Sequence, residues 1–364
     1  MVIARTLSFY FAKRFMLAVV GVFVGVFFLV GIIDYIEMTR RIGDMPNVSS
    51  LTAAQISFFR LPLMLERLMP FCVLIGAMTC YLSLSRRLEL VIARAAGMSA
   101  WQFVSPALIS ALLFGIFATA IYNPVSALLQ ERSRKLEAEI FQNTQSAIQH
   151  TTGGFWVRQR SDTGEAIINA RTSTEKGLQL SGITIFTFDT EGHFRDRIEA
   201  KSARLQPGEW KLTDARVYAA NTPPADHTSF SLPTNLTPEQ VSESFSTPET
   251  VSFWELPAHI RLAEHAGLAA AAYRLQYHKL LARPFFLVAM VFLAAAVSLR
   301  LFRFGGVQKM VLGGIAAGFL LYVLAKITED LSKAELMHPV VSAWLPAVIG
   351  GLTGFLALLY QEDG

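Results

Sequence analysis

The chain has 364 residues, of which 52% are hydrophobic and only 16% charged, with a net charge of +4 and a mean hydropathy of +0.41. An average soluble domain carries about 25% charged residues, so a soluble enzyme of this size and a disordered chain are both excluded. Two cysteines, Cys72 and Cys80, exclude a disulfide scaffold. The class that remains is an integral membrane protein, and its charge comes in blocks. Residues 131–264 hold 14 Lys/Arg and 18 Asp/Glu, a net of −4, inside a frame that holds 18 and 10, a net of +8. The basic residues of the frame end apolar runs, where membrane anchoring puts them, so no nucleic-acid partner is expected.

A spanning helix needs about 20 mostly apolar residues. The first candidate, Phe15–Ile33, has 19 without a charge. It exceeds the roughly 7–15-residue apolar core of a signal peptide, and Ile32–Arg41 lacks a small-residue cleavage pattern, so it reads as an anchor. Phe23, Val26, Phe27 and Val30 lie along it at helical spacing. Asp34, Arg40 and Arg41 follow. The second span, Leu68–Ser85, has 18 uncharged residues, with Glu66 and Arg67 just ahead of it. Cys72 and Cys80 inside it read as small buried apolar residues. Asp34, Glu66 and Arg67 are candidates for an intramembrane acid–base group, set at a boundary where snorkelling is inexpensive.

Between spans two and three, Ser85–Ser99 predicts a short amphipathic helix at about 86–97. Leu88, Val91, Ile92 and Ala95 form its apolar stripe, Gly97 ends it, and Ser99 caps the next helix. Glu89 is its only acid. Such a helix can lie on lipid or dock in a groove of a soluble partner. The third span lies in Ala95–Gln130, 36 residues without charge, and leaves the membrane near Asn123-Pro124, followed by Arg132, Arg134 and Lys135.

The polar middle changes period. Phe155–Arg158, Ala166–Asn169, Ile183–Phe188 and Trp210–Val217 alternate with a period of two, separated by turn signals such as Pro207-Gly208. An all-β, jelly-roll-like domain over 131–264 is expected. Residues 221–250 read as extended chain with turns, and Pro257–Lys279 resumes a helical pattern. Spans four, five and six follow within 265–364 as Pro284–Leu299, Met310–Ala325 and Leu336–Gln361. Span five carries Leu312, Ile315, Phe319 and Tyr322 at helical spacing.

Orientation follows from Lys/Arg in the short loops. A cytoplasmic N-terminus puts nine on the inside (Arg5, Lys13, Arg14, Arg86, Arg87, Arg94, Arg300, Arg303, Lys309) and three on the outside (Arg40, Arg41, Lys333). Both termini are then cytoplasmic and the β domain is periplasmic. Catalytic signatures are absent: no GxxxxGK[ST], HExxH, CxxC or GxSxG. His259, Glu264 and His265 have H-x4-E-H spacing rather than that of a zinc motif. The chain is therefore read as non-catalytic, with no cofactor of its own.

With these parts in place, the sequence resembles the LptF/LptG lipopolysaccharide export permease family, and within it the LptG branch. The resemblance rests on the three-plus-three layout around a β domain, the coupling segment Ser85–Ser99, Gly31-Ile32-Ile33, Asn235-Leu236-Thr237-Pro238 and Gly318–Leu324. It implies a homologous LptF-like permease partner, an LptB ATPase dimer that binds ATP and Mg, and a periplasmic bridge of LptC and LptA. Together these extract lipopolysaccharide from the inner membrane and pass it toward the outer membrane. It implies ATPase coupling through Arg86, Arg87, Glu89, Leu90, Arg94 and Gly97, and substrate-phosphate contacts from Arg40, Arg41 and Arg134. An acyl cavity lined by the span-one and span-five stripes is implied as well. Asp34 departs from the family, which carries a lysine there. Either the substrate's lipid A carries different charges or another cation compensates, with Lys326 a candidate, and Asp34→Lys is expected to be tolerated. Two other readings stay open: a mechanotransmission subunit that moves no lipid through itself, and a lipid-modifying membrane enzyme.

Overall fold

The computed structural model describes residues 2–42, 49–142, 155–161, 164–174, 178–189, 191, 193–219, 223–234, 248–265, 270–300 and 307–363. The chain forms two compact units. One comprises Met1–Glu137, Ser252–Trp254 and Arg274–Gly364; the other comprises Ala138–Val251 and Glu255–Tyr273.

The first unit is helical: α1 (Val2–Ile42), α2 (Ser50–Arg86), α3 (Glu89–Ala95), α4 (Ala100–Phe117) and α5 (Asn123–Gln142). A π turn, Ala118–Tyr122, joins the last two. After the β unit and α6 (Leu256–His265) come α7 (Ala271–Arg300), α8 (Val307–Lys333) and α9 (Pro339–Asp363). Six of these helices are long and apolar enough to cross a membrane, as the sequence predicts. Their ends run well beyond the apolar runs, so Asp34, Arg60, Glu66 and Arg67 lie within helices rather than at their boundaries. Ser49 caps α2 by accepting from the Leu51 N–H. Ser99 and Gln102 make a reciprocal capping box at α4. Cys72 and Cys80 are buried and unpaired.

Helix packing is closest at glycine. A Cβ on Gly76 of α2 would lie 2.7 Å from the Val19 Cα of α1, and one on Gly115 of α4 would lie 2.5 Å from the Pro284 Cα of α7. Gly314 and Gly318 of α8 instead make room for the side-chain ends of Met78 and Leu74 of α2. The last point of contact in this series is Gly354 of α9 against Phe292 of α7. Backbones that approach this closely are how membrane helices gain dispersion contact where lipid removes the hydrophobic drive. Gly76→Ala is expected to lose about 1–3 kcal/mol through overpacking. Gly21→Ala, with nothing within 4 Å of its Cβ, is expected to be neutral or to gain up to about 1 kcal/mol. Thermal unfolding of the two variants in detergent measures the contrast.

Pro284 leaves the Leu280 carbonyl without its helical donor. The Thr119 hydroxyl, on the π turn, donates to that carbonyl at 2.9 Å. Gly115 one turn earlier makes the room.

The second unit holds a six-stranded antiparallel sheet: β1 (Phe155–Ser161), β2 (Gly164–Thr174), β3 (Gln179–Phe188), β4 (Phe194–Gln206), β5 (Glu209–Ala219) and β6 (Ala225–Pro233). The expected all-β domain is present, and its described strands connect as an up-and-down meander. β4 was not among the predicted stretches, and β6 lies where extended chain with turns was expected. Ile168, Leu180, Ile185, Ile198, Trp210 and Leu212 bury one face. Gly208, at φ +85°, makes the tight β4–β5 turn. One row drops out of the ladder on every strand from β2 to β6, with the register unchanged on either side of it: Arg171, Gly182, Lys201, Asp214 and Thr228. Gly182 and Asp214 in that row have positive φ, so the sheet is creased along it, and a cavity of about 930 Å³ opens on its polar face there. Beside the crease the Arg216 guanidinium grips Asp226 with two bonds and holds that carboxyl below its usual range.

Two expectations lie outside what is described. Asn235–Pro238 falls outside the described residues. The predicted continuous helix Pro257–Lys279 is represented by α6 and the start of α7, with 266–269 between them outside the description.

Candidate functional site

The coupling segment folds as a two-turn helix hung between two left-handed residues. Leu88 has φ +59° and Gly97 has φ +82°. Leu88 therefore precedes α3 rather than belonging to its apolar stripe. What remains of the stripe points outward: Val91 and Ile92 are exposed, Ile92 at 67%, and Leu88 ahead of the helix is exposed beside them. Leu90 and Ala93 on the opposite side enter the helical core. Arg86, Arg87 and Arg94 are exposed, with Arg94 over the Phe103 ring. Glu89 turns inward. Its Oε2 accepts from the Tyr10 hydroxyl at 3.0 Å, and its Oε1 lies 3.9 Å from Arg14.

Arg40 and Arg41 occupy the last turn of α1, where cations oppose the helix dipole. Both are exposed, and Arg41 pairs with Glu37. Arg134 is exposed on α5. Asp34 is unlike these three. It is 6% exposed, accepts from the Ser57 hydroxyl and faces Arg60 at 3.9 Å. Arg60 also meets Glu137 at 3.5 Å. The expected partner, Lys326, instead lies with Glu329 at 3.6 Å and Asp330 at 3.2 Å. Arg60, not Lys326, is the cation that faces Asp34, and a lysine at 34 would stand in a buried site.

The two apolar stripes differ. Phe23, Val26, Phe27 and Val30 are half-buried, and the Phe23 ring meets Tyr122 at 6.2 Å. The stripe continues the packed face of Phe11, Phe15 and Val19. Leu312, Ile315, Phe319 and Tyr322 of α8 are exposed, and Tyr322 rests against Phe71 of α2 at 5.1 Å.

Sequence reasoning named Glu66 but not its partners. The Glu66 carboxylate accepts from Asn123 Nδ2 at 2.8 Å, Ser126 Oγ at 2.5 Å and Arg283 Nη2 at 2.6 Å. Asn123 accepts in turn from the Phe253 N–H at 2.9 Å, and Tyr122 donates to the Pro62 carbonyl. The cluster joins α2, α5 and α7 immediately after the π turn, and its members are far apart in sequence. Arg67, the other boundary charge, is exposed on α2. His259 stacks on Tyr273 within the second unit.

Six apolar helices divided around an inserted β unit, with a short helix between the second and third, define a multi-pass membrane protein. The chain belongs to the lipopolysaccharide export system permease LptF/LptG family, whose model matches residues 9–360. It is similar to the lipopolysaccharide export system permease protein LptG of Escherichia coli K12, 23% identical over 330 residues, covering 88% of each chain. It is also similar to the protein of that name in Haemophilus influenzae, 23% identical over 355 residues, covering 95% of this chain and 96% of the relative. As a member of this family it is a multi-pass inner-membrane permease.

Proposed function

We propose that the chain is the permease subunit of an ATP-driven exporter that extracts lipopolysaccharide from the inner membrane and passes it toward the outer membrane. The observation that carries the reading is α3. Its apolar residues face outward between two spans, in a chain that has no phosphate-binding loop of its own. An exposed Leu88–Val91–Ile92 surface suits a groove on a soluble ATPase that binds ATP and Mg, an LptB-like dimer. On this reading Arg86, Arg87 and Arg94 form the rim of that contact, while Leu90 and Gly97 set the helix's pose. The termini are cytoplasmic and the β unit is periplasmic, which follows from the nine-to-three division of Lys/Arg.

An LptF-like permease completes the cavity, and LptC and LptA receive the glycolipid. Arg40, Arg41 and Arg134 are read as the contacts to its phosphates, for which guanidinium forks are suited. The open α8 stripe supplies the acyl wall. Affinity purification in mild detergent is expected to bring down one ATPase and one homologous permease. A photocrosslinker at Phe319 is expected to capture glycolipid in an ATP-dependent way. Recovery of both partners with no glycolipid at Phe319 or Phe27 would favour a subunit that only relays motion. Lipid-modifying activity from the isolated chain would favour an enzyme.

A further inference from the structure

We propose that Tyr10 and Arg14 of α1 are positioning residues that latch Glu89, so that displacement of the coupling helix is passed directly to α1. The proposal deepens the export reading above. A seven-residue helix is too short to hold its own pose, and α3 is flanked by left-handed residues at both ends. Its side-chain anchors are the buried Leu90 and Ala93, the Arg94 guanidinium over the Phe103 ring, and the contacts of Glu89.

The latch has a defined polarity. Arg14 Nε donates to the Tyr10 hydroxyl at 3.0 Å. A guanidinium only donates, so that oxygen must accept from Arg14 and spend its single proton on Glu89 Oε2. Each bond polarises the next, and removing the hydroxyl breaks both. Tyr10 and Arg14 sit one turn apart, around Phe11 and Phe15, whose rings are buried in the helical core. The latch thus grips a part of α1 that cannot slip independently. Val91 and Ile92 remain exposed on α3, leaving the docking surface separate from the latch. Glu89 then acts inside the chain, not as a contact to the ATPase.

The test compares Tyr10→Phe, Glu89→Gln and the double variant in the full assembly reconstituted in proteoliposomes, measuring lipopolysaccharide released per ATP hydrolysed. Amide exchange of residues 89–95 is measured on the permease alone in detergent. Each single variant is expected to lower release per ATP about fivefold, the size of one lost hydrogen bond, while the ATPase still co-purifies. The double variant is expected to be no worse than either single one, and exchange at 89–95 is expected to rise in all three. Wild-type behaviour of Tyr10→Phe in both measurements overturns the proposal. So does loss of the ATPase from Glu89→Gln with Tyr10→Phe silent, which would make Glu89 a partner contact. If the wild-type chain recruits no ATPase, the export reading fails, and the exchange measurement alone decides the latch.

Discussion

Arg283→Met is expected to destabilise the helical unit by about 3–5 kcal/mol, the usual consequence of stripping one partner from a buried ion pair. Glu66 is 4% exposed and would keep only the Asn123 and Ser126 donors. Two neutral donors do not compensate a carboxylate whose cation, 2.6 Å away, has gone. The loss is expected to be larger than that of either hydrogen bond alone, because Asn123 also holds the Phe253 N–H. Arg283 Nη1 has no hydrogen-bond partner among the described residues, so the native pair is itself incompletely satisfied. This predicts an asymmetry. Glu66→Gln combined with Arg283→Met removes both charges and is expected to recover most of the loss. Glu66→Gln alone leaves a buried guanidinium and is not. Thermal unfolding of the three variants in detergent separates these outcomes. If Arg283→Met unfolds like the native chain, the pair carries no weight in the fold.

Such a pair shows where reading the sequence stops. Six spans were legible because an apolar run is a local property, and Gly97 and Ser99 were legible because caps act over three or four residues. Strands such as Ile183–Phe188 and Trp210–Val217 were legible from alternation. β4 alternates too, but Arg195, Arg197, Glu199 and Lys201 crowd its exposed face and mask the apolar half. Helix ends were not legible. Charge predicts the end of a span, yet α1 and α2 run on past it, and Asp34 meets Arg60 across the two helices, a pairing that no local pattern reports.

Facing was also hidden. Periodicity placed Val91 and Ile92 on one side of α3 and Phe23 and Phe27 on one side of α1, but not toward or away from the core. The first pair is exposed and the second half-buried. The π turn left one trace that could have been followed: Pro284 orphans the Leu280 carbonyl, and some hydroxyl elsewhere had to answer it. Thr119 does.

Asp34→Lys is expected to abolish export and to lower stability by several kcal/mol, of the order of about 3–5, because the site is buried and already contains a cation. The substitution removes the acceptor for Ser57 and sets an ammonium against Arg60, which Asp34 now faces at 3.9 Å. Glu137, 3.5 Å from Arg60, carries one negative charge and cannot neutralise two cations. Asp34→Asn keeps an acceptor for Ser57 and loses only the charge, so a smaller loss is expected, about 1–3 kcal/mol. The decisive variant is the swap. Asp34→Lys with Arg60→Glu restores one opposite pair at the same place and is expected to recover part of both stability and export, measured by detergent unfolding and by survival of cells that depend on this permease. Rescue by Arg60→Glu distinguishes a charge-balancing role from a direct contact of Asp34 with substrate, since a substrate contact would be lost in the swap as fully as in the single variant. Asp34 would then be understood as the buried counter-ion of a half-buried Arg60, which also meets Glu137 of α5.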